Sequence, residues 1–199
     1  LSSSSAASDV YKRQHDERRS KVRARIYVIM GEEIINRVAN SSLNTIDLED
    51  LYPEGERVLL DIKEQLWQGL ALKEKDFRAY IKATDWSVYQ DKYVALSCSV
   101  DAIIPTWAYM LLATALNPFA KRVVFGDLTY LEGILFEEVI ERIDYSQYQD
   151  ARVVIKGCSD RAVPTASYVK LTEKLQPFAK AIMFGEPCST VPLWKKPRG

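Results

Sequence analysis

The chain contains 199 residues, with 27 basic and 27 acidic side chains and a single histidine, His15. One histidine in an N-terminal segment excludes a histidine-rich metal site and argues against Ser-His-Asp or Cys-His catalysis. Residues 30–199 hold 20 basic and 24 acidic residues. Their net charge of −4 gives no electrostatic reason to bind nucleic acid or an anionic membrane.

The first 29 residues have the character of an extension. Residues 1–14 are rich in serine and alanine without an apolar period, and residues 15–25 form a basic run. Met30 then begins an acidic segment with a helical pattern, so we predict that residues 1–29 are a non-native or disordered extension. The alternative is a disordered basic arm that binds nucleic acid. Residues 30–199 suit a single domain with a substantial core.

The front third of this domain gives weaker signals than the rest. The apolar pattern predicts helices over residues 32–38 and 75–83 and a strand over residues 45–48. Between them, residues 57–66 fit either a helix or a short strand that ends near Leu60. No linker or low-complexity tract follows residue 30, which favours one α/β domain over residues 30–199.

The second half of the chain is internally repeated. Residues 85–127 and 144–186 align without a gap, and 18 of 43 positions are identical, whereas unrelated sequences would share roughly two or three. Each copy reads as strand, loop, helix, strand, and a proline, Pro105 or Pro164, begins each helix. A further helix over residues 131–143 links the copies.

The repeat predicts the fold class. Short apolar strands joined by helices are typical of a parallel sheet that is covered on both faces. Because crossovers between parallel strands are right-handed, two such units are expected to contribute four parallel strands. The sequence therefore predicts an α/β fold with a mainly parallel sheet built from an internally duplicated strand–helix–strand unit. The predicted strands cover residues 93–96, 122–125, 153–155 and 181–184, and the predicted helices cover residues 105–116 and 164–175.

All three cysteines follow predicted strands. An odd number of cysteines without a secretion signal indicates free thiols in a reducing, cytoplasmic compartment. Ligands of parallel sheets bind beyond the carboxyl ends of the strands. The sequence therefore predicts a shared metal site, for zinc or an iron–sulfur cluster, with Cys98, Cys158 and Cys188 as thiolate ligands. Asp101 or Asp160, which follow the first two cysteines, are candidates for the fourth position.

The cysteines also allow two other interpretations. Free cysteines often pack as small buried hydrophobic side chains, and this chain has no Cys-x-x-Cys pair. In the gapless alignment Cys98 pairs with Gly157, so the two repeat cysteines are offset by one position. The third interpretation is a reactive thiolate, with Cys158 as the first candidate nucleophile because Lys156 and Arg161 flank it.

Four acidic residues lie close to strand ends, and each is consistent with a structural role as well as with ligand binding. Asp101 and Asp160 occupy equivalent positions in the repeat and precede a helix, where an acidic side chain often caps the first turn. Asp127 and Glu186 follow a Phe-Gly pair, which is consistent with either a ligand site or a tight turn. The sequence has no glycine-rich phosphate-binding motif, so nucleotide binding is not expected.

Several longer motifs carry a family resemblance over residues 30–199. They lie at residues 36–41, 45–50, 74–78, 98–105 (Cys-Ser-Val-Asp-Ala-Ile-Ile-Pro), 156–158 (Lys-Gly-Cys) and 185–192 (Gly-Glu-Pro-Cys-Ser-Thr-Val-Pro). In these motifs the chain resembles DUF2480, an uncharacterised bacterial family found mainly in Bacteroidetes. The resemblance implies no assigned activity. Members often lie beside genes of the SUF iron–sulfur assembly system, which implies iron–sulfur assembly proteins as partners. Ser97 stands where many members have histidine, which weakens any mechanism that needs a histidine there.

These observations lead to one functional expectation and two alternatives. We expect a cytoplasmic accessory protein of metal or iron–sulfur metabolism that binds its metal through the cysteines. The alternatives are a thiol-dependent enzyme with a cysteine nucleophile and a protein-interaction domain whose cysteines are structural. No apolar run approaches the roughly 20 residues that cross a bilayer, so neither a membrane nor nucleic acid is an expected partner.

Overall fold

The computed structural model describes residues 43–156, 161–186 and 188–197. This part of the chain has an α/β fold with four α-helices and two sheets, which confirms the predicted α/β class. The strands are β1 (Leu43–Ile46), β2 (Arg57–Asp61), β3 (Tyr93–Ser97), β4 (Arg122–Phe125), β5 (Arg152–Ile155), β6 (Ala181–Glu186) and β7 (Ser189–Lys195). The helices are α1 (Glu74–Ala83), α2 (Thr106–Leu116), α3 (Leu128–Glu141) and α4 (Thr165–Leu175).

The four strands of the repeat do not form one sheet as we expected. A three-stranded sheet has the order β2-β3-β4 and is entirely parallel. A four-stranded sheet has the order β1-β5-β6-β7, in which only β7 is antiparallel to its neighbour. Each pair of repeat strands thus takes a third parallel strand from the front of the chain, β2 beside β3 and β1 beside β5.

Helix α3 is the physical reason for this division. Leu131 and Leu135 pack with Ala95 and Val124 of the three-stranded sheet. Further along the same helix, Phe136 and Ile140 are fully buried in the core of the four-stranded sheet. An apolar surface this wide on one helix is typical of a helix buried on two sides. The helix therefore belongs to both cores and separates the two pairs of repeat strands.

The other face of the three-stranded sheet is covered by α1 and α2. Phe77 of α1 and Leu112 of α2 are almost completely buried against Val94 and Leu96 of β3. Burying an apolar side chain of this size stabilises a protein by about 1.5–3 kcal/mol. The three-stranded sheet is thus enclosed between α3 on one face and α1 and α2 on the other.

The turns at the start of each repeat copy explain part of the repeated sequence. Asp85 and Asp144 each accept a hydrogen bond of 3.0 Å from the backbone amide two residues later, that of Ser87 or Ser146. The hydrogen bonds from the serine hydroxyls, and then these backbone bonds, lower the pKa of both carboxyl groups. The Ser-x-Tyr-Gln-Asp motif continues each turn into the strand. The repeated aspartate–serine pairs therefore shape the backbone.

One ambiguity is settled, and two other details of the secondary structure differ from prediction. Of the two alternatives for residues 57–66, the short strand is confirmed as β2, which a 3₁₀ turn follows, and the helix is wrong. Pro105 and Pro164 each lie one residue before their helix, at the N-cap position. Strand β7 was not predicted, because Val191 and Leu193 are exposed and no burial pattern marks it. The predicted helix over residues 32–38 and the boundary after residue 29 lie outside the described residues.

Candidate functional site

The carboxyl edge of the three-stranded sheet brings a carboxylate and a thiol together. Asp61 is the last residue of β2, and Cys98 follows the end of β3, which pairs with it. Asp61 Oδ1 accepts hydrogen bonds of 3.1 Å from the backbone amides of Ser99 and Lys63. Cys98 is half-buried and packs against the core of this sheet. Asp101 lies in the following loop and is exposed.

An aromatic pair forms the wall of this edge. Tyr109 lies in the first turns of α2 and contacts Phe125 edge-on, with 4.7 Å between the ring centroids. Burial raises the pKa of Tyr109, and the nearby Cys98 and Asp61 raise it further. The phenol is therefore protonated at neutral pH and can donate a hydrogen bond. Phe125 is 64% exposed, so the edge is open to solvent.

The hydrogen bonds of Asp61 predict a pH dependence of stability. Partial burial raises the pKa of Asp61, but the bonds from Ser99 and Lys63 and the charge of Lys63 outweigh it and lower the pKa below its usual value. Such a group stabilises the fold above the unfolded-state pKa, near 3.9, and the contribution disappears as the pH falls through the lower folded-state pKa. We expect Asp61→Asn to lose most stability, relative to wild type, above about pH 4.

Urea unfolding between pH 6 and 2.5 measures this difference. The gap in unfolding free energy between wild type and Asp61→Asn is expected to shrink as the pH is lowered. Ser99→Ala keeps the backbone amide and removes only the hydroxyl, so it should reduce the pH dependence in part. A gap that stays constant over this range would show that the Asp61 carboxylate is not stabilised in the folded state.

The carboxyl edge of the four-stranded sheet has a related arrangement. Asp47 follows β1, and its Oδ2 accepts a hydrogen bond of 2.7 Å from Lys156 Nζ at the end of β5. This hydrogen bond and the charge of Asp47 raise the pKa of Lys156, with a smaller contribution from Glu186. Tyr168 of α4 contacts Phe184 edge-on at 5.7 Å, as Tyr109 contacts Phe125. Lys156 therefore remains charged and held at this edge.

The two edges share one plan. Asp61 lies opposite Ser97 in the register of β2 with β3. In the other sheet Ile46 lies opposite Ile155, which places Asp47 next to Lys156. Neither aspartate was predicted as a site residue, although each comes at the end of a short strand: Asp61 is the last residue of β2, and Asp47 directly follows β1. Both were missed because β2 was ambiguous and neither front strand was paired with a repeat strand.

The predicted metal ligands are distributed over both edges. Cys98 and Asp101 lie at the three-stranded sheet, whereas Cys188 is exposed in the turn between β6 and β7 of the other sheet. Cys158 and Asp160 lie outside the described residues. Within the described ranges, no group of three or more histidine, cysteine or acidic side chains is arranged to hold a metal ion. The metal site therefore stays a prediction.

Comparison with protein families gives one match that covers most of the chain. The family model described as "Protein of unknown function (DUF2480)" matches residues 32–196. The chain belongs to the DUF2480 family. No curated protein and no solved structure matches the chain significantly. The DUF2480 match includes every element of both sheets, so the two edges described above are parts of the family's domain.

In this DUF2480 chain the basic residues on either side of Cys158 already have acidic partners. Lys156 is bound to Asp47. The Arg161 guanidinium is paired with Glu54 and lies 4.5 Å from the ring centroid of Tyr52. Both basic side chains are therefore engaged in ion pairs. None of the helices in the described part of the chain is both long and apolar enough to cross a bilayer.

Proposed function

We propose that this protein is a cytoplasmic accessory protein of metal or iron–sulfur metabolism, with Cys158 and Cys188 as its paired thiolate ligands. The pairing of β5 with β6 carries the proposal. These strands are parallel neighbours, and Ile155 lies opposite Phe184. Cys158 follows Ile155 by three residues and Cys188 follows Phe184 by four. Neighbouring strands are about 4.8 Å apart, so the strand that leads to Cys158 ends beside the strand that leads to Cys188, which supports a shared ion.

Cys98 is left out of this ligand pair for two reasons. It follows β3, which belongs to the other sheet, and it packs against that sheet's apolar core. A half-buried thiol in such contacts behaves as a small hydrophobic side chain. The proposal therefore narrows the three predicted cysteine ligands to two, with Asp160 rather than Asp101 as the acidic candidate beside them.

Two thiolates and a carboxylate limit the choice of metal. Soft sulfur ligands favour zinc or an iron–sulfur cluster over magnesium or calcium. A protein that supplies only two cysteines leaves coordination positions for a second protein or an exogenous thiol. That incomplete ligand set fits a transfer role, with iron–sulfur assembly proteins as partners, better than a permanent structural site.

The metal content of three cysteine variants tests this proposal. We expect protein purified without oxygen to contain zinc, or iron with acid-labile sulfide, in a fixed ratio to the chain. Cys158→Ala and Cys188→Ala should each lose most of that metal, because a single remaining thiolate binds weakly. Cys98→Ala is the matched control and should retain it. Metal and sulfide are measured beside circular dichroism, which shows that each variant is folded.

Two outcomes would contradict the proposal. Equal loss in all three variants would favour the original three-cysteine site over the two-cysteine pair. A folded, metal-free wild type would instead favour the thiol-dependent enzyme, with Cys158 as nucleophile. Alkylation rates against pH then separate a reactive thiol from an inert one, since only a low-pKa thiolate reacts quickly below pH 7.

A protein-interaction domain is a second candidate, favoured by exposed apolar side chains. Ile103, Met110 and Phe125 are each more than 60% exposed, and all three belong to segments near the carboxyl edge of the three-stranded sheet. Large exposed apolar side chains in one region often mark a surface that binds another protein. Crosslinking of wild-type and Phe125→Ala protein to the same partner protein would test whether this edge contributes to binding.

We also infer that the two repeat units, residues 85–127 and 144–186, arose by internal duplication. The 3₁₀ turn, strand, helix and strand of residues 85–127 recur in the same order at a spacing of 59 residues. Asp91 and Asp150, which are equivalent in the repeat, both have positive φ angles, 59° and 54°. Both also donate a backbone hydrogen bond of 2.9 Å to the equivalent phenylalanine carbonyl, Phe119 or Phe178. Agreement at this level of detail supports a common origin of the two units.

A further inference from the structure

The two sheets differ in what lies beside the last strand of each repeat unit. In the four-stranded sheet β6 pairs with β7, whereas β4, which corresponds to β6 in the repeat, is the last strand of its sheet. Among the described residues no strand lies beside the outer edge of β4. Phe184 of β6 is half-buried opposite Val191 of β7, but the equivalent Phe125 of β4 is 64% exposed. One repeat unit thus leaves open the edge that the other unit covers with a strand.

The backbone of this edge is arranged for pairing. The Gly126 amide donates a hydrogen bond of 2.9 Å to the Leu96 carbonyl of β3. Because successive residues of a strand direct their backbone groups to opposite sides, the amides and carbonyls of Val123 and Phe125 point away from β3. A strand edge with such groups is a template for a further strand. In the other sheet β7 carries Pro192, which has no N–H to donate, whereas β4 contains no proline.

The side of this edge that α2 covers is apolar and uncharged. Residues 102–120, which include the whole of α2, contain no charged side chain, and Met110 in this helix is 64% exposed. The charge of Arg122 lies on the other face of the sheet, where its guanidinium is paired with Glu138 of α3 at 2.9 Å. A second apolar surface can therefore approach Phe125 from the α2 side without bringing like charges together.

We propose that two copies of this chain pair through β4, with the strands antiparallel about a twofold axis at Val124. The outward-facing residues Val123 and Phe125 lie symmetrically about this position, so Phe125 of one copy lies opposite Val123 of the second copy. The covered sheet contains the same combination, since Phe184 lies opposite Val191. An aromatic side chain opposite a β-branched one is a favourable cross-strand pair. The two three-stranded sheets then form one continuous sheet.

The charges on either side of β4 select a second copy as the partner. Lys121 lies three residues before Val124 and Asp127 three residues after it, so each Lys121 lies opposite Asp127 of the second copy. Both side chains are exposed. Asp127 Oδ1 accepts a hydrogen bond of 2.7 Å from the Tyr130 amide, and the Lys121 ammonium can approach the other carboxylate oxygen. Opposite charges at positions equally far from the axis stabilise this twofold pairing twice.

Sedimentation velocity of the full-length protein over a dilution series tests the proposal. The wild type is expected to form a dimer whose fraction rises with concentration. Lys121→Glu places like charges opposite each other and should raise the dissociation constant of the dimer about tenfold. Lys180→Glu is the matched control, because Lys180 is the repeat equivalent of Lys121 in the sheet that β7 covers, and it should leave the dimer unchanged. Adding Asp127→Asn to Lys121→Glu removes the repulsion, keeps a side chain that caps α3 and should restore part of the affinity.

Val123→Pro tests the backbone pairing itself. Proline removes an amide that β3 does not use and is tolerated on edge strands, so this variant should keep its circular dichroism spectrum and lose the dimer. A wild type that stays monomeric at every concentration would overturn the proposal and leave the edge to an extended segment of another protein. A dimer that neither Val123→Pro nor Lys121→Glu weakens, or one that Lys180→Glu weakens equally, would also refute it. These outcomes are independent of the metal content, since Cys158 and Cys188 follow strands of the other sheet.

Discussion

Replacing Gly185 with alanine is expected to lower the free energy of unfolding by about 2–4 kcal/mol. Gly185 has a φ of 121°, a region that residues with a side chain rarely adopt. A Cβ atom there would lie 2.6 Å from the carbonyl oxygen of Ser189, in the backbone of the paired strand β7. Because a backbone atom cannot rotate away, the β6–β7 hairpin would have to shift. Urea denaturation at neutral pH measures the loss.

Gly133→Ala is the matched control for this substitution. It places the same methyl group in open space within a helix, so it should stabilise the protein by about 0.5–1 kcal/mol. The two alanine variants should thus change the unfolding free energy in opposite directions. If Gly185→Ala is as stable as wild type, the hairpin does not have the close approach described above. A distorted hairpin should also change the alkylation rate of Cys188, which lies in its turn.

Phe136→Ala is expected to cost about 3–5 kcal/mol of unfolding free energy, which is typical of a fully buried phenylalanine. Phe136 is 0% exposed in the core of the four-stranded sheet and contacts the ring of Tyr52 edge-on at 5.9 Å. Removing the ring leaves a cavity between α3 and the sheet that the rigid strands cannot fill. Thermal and urea unfolding followed by circular dichroism measure the effect.

The same variant tests whether the two sheets unfold together. Phe77→Ala makes an equivalent cavity in the three-stranded sheet, where Phe77 is 1% exposed. Since α3 packs into both cores, we expect each substitution to lower one common transition. Trp86 lies in the core of the three-stranded sheet and Trp194 packs against that of the other, so single-tryptophan variants report on each. Separate transitions, with Phe136→Ala affecting only the Trp194 signal, would contradict this coupling.

The repeat elements could be predicted well because the sequence encodes them locally. The strand over residues 122–125 was predicted with the observed bounds, and α4 begins one residue after the predicted start. Proline and glycine at the element ends and uninterrupted apolar runs between them carry this information. The same signals are absent from β7, which is held by backbone pairing with β6 and leaves Val191 and Leu193 exposed.

The division into two sheets could not be predicted in the same way. It depends on β1 pairing with β5, a contact between residues 109 positions apart, such as Ile46 with Ile155. No local pattern specifies which distant strand lies beside a given edge. The candidate site could not be predicted for the same reason. Asp61 and Asp47 are identified as site residues only once β2 is paired with β3 and β1 is paired with β5.

The order of strands in the two sheets has a consequence for synthesis on the ribosome. The three-stranded sheet uses residues 57–125 without interruption, so it can assemble as soon as that stretch has emerged. Strand β1 is made earlier, yet its partner β5 ends 109 residues later. Domains rich in short-range contacts form faster than those that wait for distant ones. We therefore expect the first strand of the described chain to be among the last to be placed, and until then its unpaired edge needs protection from other nascent chains.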